Sequence, residues 1–133
     1  MNEQSLLLIK PNAVDHKHIG HIITIVESKG FIIRNVRVFQ FTKESATEFY
    51  YEHAGKEFFH RLITFMISGT TIALILEKRN AVAELRELVG DADPQTRKAG
   101  SIRALYAEGI TENAVHASDS INHAMREIRL IFG

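Results

Sequence analysis

An α/β fold, a small sheet with helices packed on it, is what this sequence predicts, and three observations predict it. Ser5–Ile9 and Thr71–Leu76 are short apolar runs of the length of strands buried on both faces. Apolar residues at three-and-four spacing, as at Ile19, Ile22, Ile23 and Val26, mark helices between such runs. The two patterns alternate along 133 residues without repeat, linker or low-complexity stretch, so 1–133 reads as a single domain.

Taken in order, the first strand stops at Lys10-Pro11, because proline cannot continue a central ladder. The Ile19 stripe forms a helix that ends at Lys29-Gly30, with glycine as a left-handed stop. Residues 31–41 alternate and are rich in Ile, Val and Phe, which predicts a long strand. Thr42 caps a helix bearing Ala46, Phe49 and Tyr50, and Leu62, Ile63, Phe65 and Met66 line the next. After the strand 71–76, Asn80 is the expected cap of a helix with Val82, Leu85 and Val89, stopped by Gly90. Residues 91–100 lack periodicity and read as a surface loop. A short helix, a short strand and a last amphipathic helix with Ile121, Ala124, Met125, Ile128 and Phe132 complete the chain.

Bulk composition narrows the function. Sixteen basic residues balance sixteen acidic ones, so no global field favours nucleic acid or a membrane surface. A nucleotide remains possible, since it needs only a local cluster of charge. With no cysteine, thiol chemistry, disulfides and thiolate metal sites are excluded. The N-terminal residues lack a signal-peptide pattern and no apolar run is long enough to span a bilayer, so a cytoplasmic protein is expected.

The most informative stretch is 113–120, Asn-Ala-Val-His-Ala-Ser-Asp-Ser. Ser120, beside Asp119, is a natural N-cap for the last helix, which places His116 at the end of a short strand near a helix N-terminus. Glu127 falls two turns into that helix at the edge of its apolar face and is a candidate partner for the imidazole. A histidine oriented by a carboxylate near an anion site suits nucleophilic catalysis.

This octapeptide resembles the active-site segment of nucleoside diphosphate kinases, Asn-x-x-His-Gly-Ser-Asp-Ser, matching at Asn113, His116, Ser118, Asp119 and Ser120. Further segments resemble the family in order: Ile-Lys-Pro-Asn-Ala-Val at 9–14, the Tyr50–Phe59 stretch, the helix with Arg86, and Ser-Ile-Arg at 101–103. The resemblance extends from Leu6 to Phe132. It implies an α+β sandwich, a ferredoxin-like four-stranded antiparallel sheet with helices packed on it.

The resemblance also implies reversible transfer of the terminal phosphoryl group of ATP and other nucleoside triphosphates to nucleoside diphosphates, by ping-pong through a phosphohistidine on His116. Lys10, Arg86 and Arg103 are then the phosphate-binding cations, with Tyr50 close to the phosphates. Phe58 stacks on the base, and Asn113 with Lys10 binds ribose hydroxyls. Glu127, supported by Ser118, orients the ring. Mg2+ is expected to arrive on the nucleotide phosphates, without a protein metal site. The departures are Asn12 for aspartate, Ala92 for a phosphate-binding threonine, Ala99 for proline and Ala117 for glycine. They motivate a competing expectation, a nucleotide-binding regulator without turnover, against which the retained His116 and Glu127 argue. A dimer-based homo-oligomer, tetramer or hexamer, is the implied assembly, without the C-terminal tail of longer members.

Overall fold

The computed structural model describes residues 2–133. Four strands, β1 (Asn2–Ile9), β2 (Ile32–Phe39), β3 (Thr71–Arg79) and β4 (Val115–Ala117), form one sheet in the order β2-β3-β1-β4. Every neighbouring pair is antiparallel, as the family resemblance implied. The helices are α1 (Pro11–Asp15), α2 (Ile19–Ser28), α3 (Lys43–Phe49), α4 (Phe59–Met66), α5 (Ala81–Val89), α6 (Ile102–Tyr106) and α7 (Ile121–Phe132). Among the described residues no helix is long and apolar enough to cross a membrane.

The unbroken apolar run of β1 has a direct cause. Successive side chains of a strand point to opposite faces, and both faces of this sheet are covered. Leu7 and Ile9 join Leu74 and Leu76 under Ile22, Val26, Leu85 and Val89, from α2 and α5. Leu6 and Leu8 join Ala73 under Phe49, Leu62, Met66 and Ile131, from α3, α4 and α7.

Strands β1 and β3 are each three residues longer than their apolar runs. Asn2, Glu3 and Gln4 pair with Arg79, Lys78 and Glu77, and Gln4 donates to the Glu77 carboxylate at 3.2 Å. Ladder hydrogen bonds extend past the core, where hydrophobicity carries no signal. The opposite happens at β2, where the bounding Phe31 and Phe41 are buried but lie outside the ladder. Its expected alternation is also absent: a register shift between Ile33 and Asn35 interrupts the pairing, and most of this edge strand is exposed.

Caps fix the helices that matter for function. Thr42 and Ser45 form a reciprocal capping box on α3. The Ser120 hydroxyl accepts from His123 N at 3.1 Å, starting α7 as expected. Asn80, however, does not cap α5 with its side chain; it lies in the left-handed region at φ 56°. Glu3, arriving on β1, accepts from Val82 N at 3.0 Å and replaces it. A tertiary carboxylate thus outcompetes the local amide.

Candidate active site

His116 is the middle residue of β4, opposite Leu8, instead of lying at the strand end. Strand alternation then does the positioning. Val115 and Ala117 point into the core beneath α2 and α5, so His116 points to the other face, against Phe49 and Tyr50, with ring centroids 5.1 and 5.9 Å away. The Ala117 methyl fits that core, at 4% exposure, which explains why alanine is tolerated there.

The turn into β4 is strained. Ala114 has φ 76° and is fully buried, and Val115 N donates to the Asn113 carbonyl at 2.9 Å, closing a three-residue γ-turn. Lys10 N donates to the Ala114 carbonyl at 2.8 Å, which anchors the turn to β1. Positive φ at a non-glycine residue persists only where its surroundings enforce it.

Glu127 stands beside the imidazole as its place on α7 suggested. His116 Nε2 and Glu127 Oε1 are 2.8 Å apart, and Ser118 Oγ donates to the same oxygen at 2.7 Å. Burial would raise the carboxyl pKa, but the hydrogen bonds and charge of His116 and the Ser118 hydroxyl outweigh it and hold the group below its ordinary value. An ionised carboxylate only accepts, so Nε2 donates to it, and in the neutral ring the lone pair then lies on Nδ1.

Lys10 is almost fully buried and donates to Asn113 Oδ1 at 2.8 Å. Burial, then the charge of Arg103, lowers its pKa to about 7. Tyr50 OH is buried without a hydrogen-bond partner among the described residues, and burial, followed by the Glu127 charge, raises its pKa. Arg86 on α5 pairs with Asp119 just before α7. Arg103 is turned onto backbone, donating to the Gly90 and Val115 carbonyls, each at 2.9 Å. Burial and then the charges of Arg86 and Arg97 bring its pKa down to about 10. Arg86 is thus matched by a carboxylate, whereas among the described residues neither Lys10 nor Arg103 forms an ion pair with one.

Phe58, at 45% exposure, precedes α4. A row of rings connects it to the imidazole: His53 lies 5.3 Å from Phe58, Tyr50 6.3 Å from His53, and His116 5.9 Å from Tyr50. The rings thus connect Phe58 to His116, while Lys10 and Asn113 are buried as a pair of their own.

Some contributors escape sequence reading. Asn12 donates to Glu108 Oε1 at 3.0 Å and to the Glu112 carbonyl at 3.1 Å. An ionised aspartate could make neither bond, so the departure at position 12 belongs with Glu108. Arg97, inside the loop 91–100, had no periodic or motif signal at all, yet its guanidinium binds three carbonyls.

The four-stranded antiparallel α+β sandwich with its carboxylate-held histidine is shared with a class of phosphotransferases. The chain belongs to the nucleoside diphosphate kinase family, whose model matches residues 3–133. It is 48% identical over 132 residues to the nucleoside diphosphate kinase of Actinobacillus pleuropneumoniae serotype 5b, covering 99% of this chain and 96% of that one. The Aquifex aeolicus nucleoside diphosphate kinase structure superposes with a TM-score of 0.95 at 39% identity, covering 100% of this chain and 96% of the other. A halophilic nucleoside diphosphate kinase from Halobacterium salinarum, solved in complex with CDP, superposes with a TM-score of 0.94 at 34% identity, covering 99% and 88%.

Proposed function

We propose that this chain transfers the terminal phosphoryl group between nucleoside tri- and diphosphates by ping-pong, with His116 Nδ1 as the nucleophile. The observation that carries this reading is the 2.8 Å pairing of His116 Nε2 with Glu127 Oε1, which occupies one ring nitrogen and leaves the other to attack. The Nδ1 lone pair forms a bond to the terminal phosphorus, and the bond to the bridging oxygen breaks. The nucleoside diphosphate departs with that electron pair. The ring becomes cationic, and Glu127, itself held by Ser118, stabilises it. In the second half-reaction the terminal oxygen of an incoming diphosphate attacks phosphorus, and the P–N pair returns to Nδ1.

Phosphoryl transfer is mostly positioning and charge stabilisation, because its transition state spreads charge over the equatorial oxygens. Lys10, Arg86 and Arg103 supply the positive charge in this reading, and Tyr50 offers a buried hydroxyl that has no other partner among the described residues. Asn113, already bonded to Lys10, meets the ribose hydroxyls. The exposed Phe58 stacks on the base, and because every base has a π-face, broad base tolerance follows. The site's donors are mainly cationic, which fits Mg2+ carried on the nucleotide phosphates rather than held by a protein cage. When bound, that ion neutralises phosphate charge and orients the terminal group.

We also propose a cytoplasmic setting, consistent with a chain free of cysteine, and a homo-oligomer built from a dimer. Zero formal net charge disfavours a nucleic-acid partner.

Incubation with labelled ATP tests the mechanism. An acid-labile, alkali-stable phosphoprotein is expected, with label passing on to several nucleoside diphosphates. His116→Ala is expected to abolish both with the fold retained. A mutant that takes label at the parental level overturns the assignment, and a parent that binds nucleotide without taking label supports the regulator reading instead.

A further inference from the structure

The loop 91–100 joins the helix that carries Arg86 to the helix that carries Arg103. Ten residues without regular structure would ordinarily leave the two guanidiniums loosely related, and Ala92 offers no side-chain hydroxyl to fix the loop. Two arginine clamps restrain it. Arg103 Nη1 holds the Gly90 carbonyl, while its Nη2 holds that of Val115, next to His116. Arg97 holds the following two carbonyls, Asp91 through Nε at 3.0 Å and Ala92 through Nη2 at 2.8 Å. The same Nη2 reaches the carbonyl of Gly109 at 2.9 Å, which ties the loop to the segment leading into β4.

The bland alternative is a solvated loop cation. A solvated arginine beside Asp91 and Asp93 would be expected to pair with a carboxylate, yet this guanidinium forms no ion pair among the described residues and takes backbone carbonyls instead. Carbonyls fix backbone geometry, and a planar fork spanning three of them does so in a way a point charge cannot. Gly90 shows how tight the junction is. Its φ is +87°, and a Cβ there would lie 2.5 Å from Ser101 Oγ. The influence of Arg97 on the Arg103 pKa agrees with the two clamps being neighbours.

We infer that Arg97 is a positioning residue for the phosphate site, locking 91–92 against Gly109 so that Arg103 stays in register with His116. The inference rests on the proposed His116 mechanism and adds a residue to it.

The test compares the parent with Arg97→Ala, Arg97→Lys and Lys98→Ala, the last being a neighbouring loop cation paired with Glu87 at the surface. Single-turnover labelling from Mg-ATP gives the half-saturating ATP concentration and the limiting rate, and thermal melting of the apo protein gives stability. For Arg97→Ala the half-saturating concentration is expected to rise about tenfold, which corresponds to about 1.4 kcal/mol. The limiting rate is expected to stay close to parental and the apo Tm to be unchanged within error. Arg97→Lys recovers part of the loss, since an ammonium reaches only some of the carbonyls, and Lys98→Ala behaves as the parent. Parental half-saturation in Arg97→Ala overturns the inference. So does a loss that merely tracks a fall in Tm, and so does full recovery by lysine, which would reduce the residue to a charge. If Arg97→Ala does not fold, Arg97→Lys decides alone, by a raised half-saturation at parental Tm. Absence of label in the parent refutes the His116 mechanism, whereas an active parent with an indifferent Arg97 refutes this inference only.

Discussion

One oxygen of Glu127 serves both His116 and Ser118, at 2.8 and 2.7 Å, so the carboxylate that orients the ring is itself fixed from a second direction. Replacing it separates orientation from charge. Glu127→Gln can still accept from Nε2 through its amide oxygen but cannot compensate the cationic phosphohistidine. A charge-assisted hydrogen bond contributes about 1.5–3 kcal/mol, so phosphoenzyme formation is expected to slow by roughly ten- to hundredfold. Rapid-quench labelling measures it, and an unchanged rate would remove Glu127 from the mechanism.

Lys10 makes nucleotide binding depend on pH. Its folded-state pKa of about 7 lies well below the ordinary 10.5. A bound phosphate favours the ammonium, so binding takes up a proton above pH 7, and affinity falls as pH rises from there. Folding of the apo protein responds in the opposite sense. Between about 7 and 10.5 the unfolded chain binds more protons, and this group's contribution to stability rises with pH. Calorimetric titration at pH 8 in buffers of different ionisation heat is expected to show proton uptake that Lys10→Met abolishes.

The strained turn before β4 offers a trade between stability and rate. Ala114 holds φ 76° in the core, a conformation glycine adopts freely. Ala114→Gly is expected to stabilise the fold by about 1 kcal/mol, while the loosened turn lets His116 wander and slows labelling. Thermal melting together with the single-turnover rate checks both halves; a mutant both less stable and equally fast contradicts the account.

At position 92 the family threonine is replaced by alanine, and its carbonyl is held by Arg97. Ala92→Thr adds a hydroxyl donor toward the phosphates. One neutral hydrogen bond is worth about 1 kcal/mol, so kcat/KM for ATP is expected to rise about fivefold. A fall would show that the Arg97 clamp leaves the hydroxyl no productive orientation.

What the sequence made legible follows from which interactions are local. The β1 core, the Ser120 cap and the register that brings Glu127 to His116 all rest on spacing within one element or between adjacent ones. The full lengths of β1 and β3 come from polar cross-strand pairs such as Gln4 with Glu77, to which periodicity is blind. Glu3 capping α5 links residues 79 positions apart, and the Arg97 clamp depends on a loop path that no repeat encodes. The four-stranded antiparallel sheet was reached through family resemblance, because alternating strands and helices fit several sheets, and its order β2-β3-β1-β4 is seen only in the structure. At position 12 the sequence shows only a departure from the family's aspartate, because the partner Glu108 lies 96 positions away.

Assembly is where the exposed edge has its consequence. Strand β2 ends the sheet, and its Ile32, Val36 and Val38 are 44, 49 and 70% exposed. An apolar edge strand with one unpaired side invites another strand, and a second copy related by a two-fold axis presents the same edge to it. The loop 91–100 is the second contact the family resemblance suggests, and Ala99, in place of proline, leaves it less rigid in the unbound chain. The dimer through β2 is therefore expected to be the robust unit, with any tetramer or hexamer dissociating first on dilution or in mild urea. Light scattering across a concentration series measures this directly. Val38→Lys puts a charge on the edge and is expected to weaken the dimer while leaving the site, which lies toward the opposite edge at β4, able to accept label. A parent that is monomeric at micromolar concentration, or a Val38→Lys variant that dimerises as tightly as the parent, would show that β2 is not the contact.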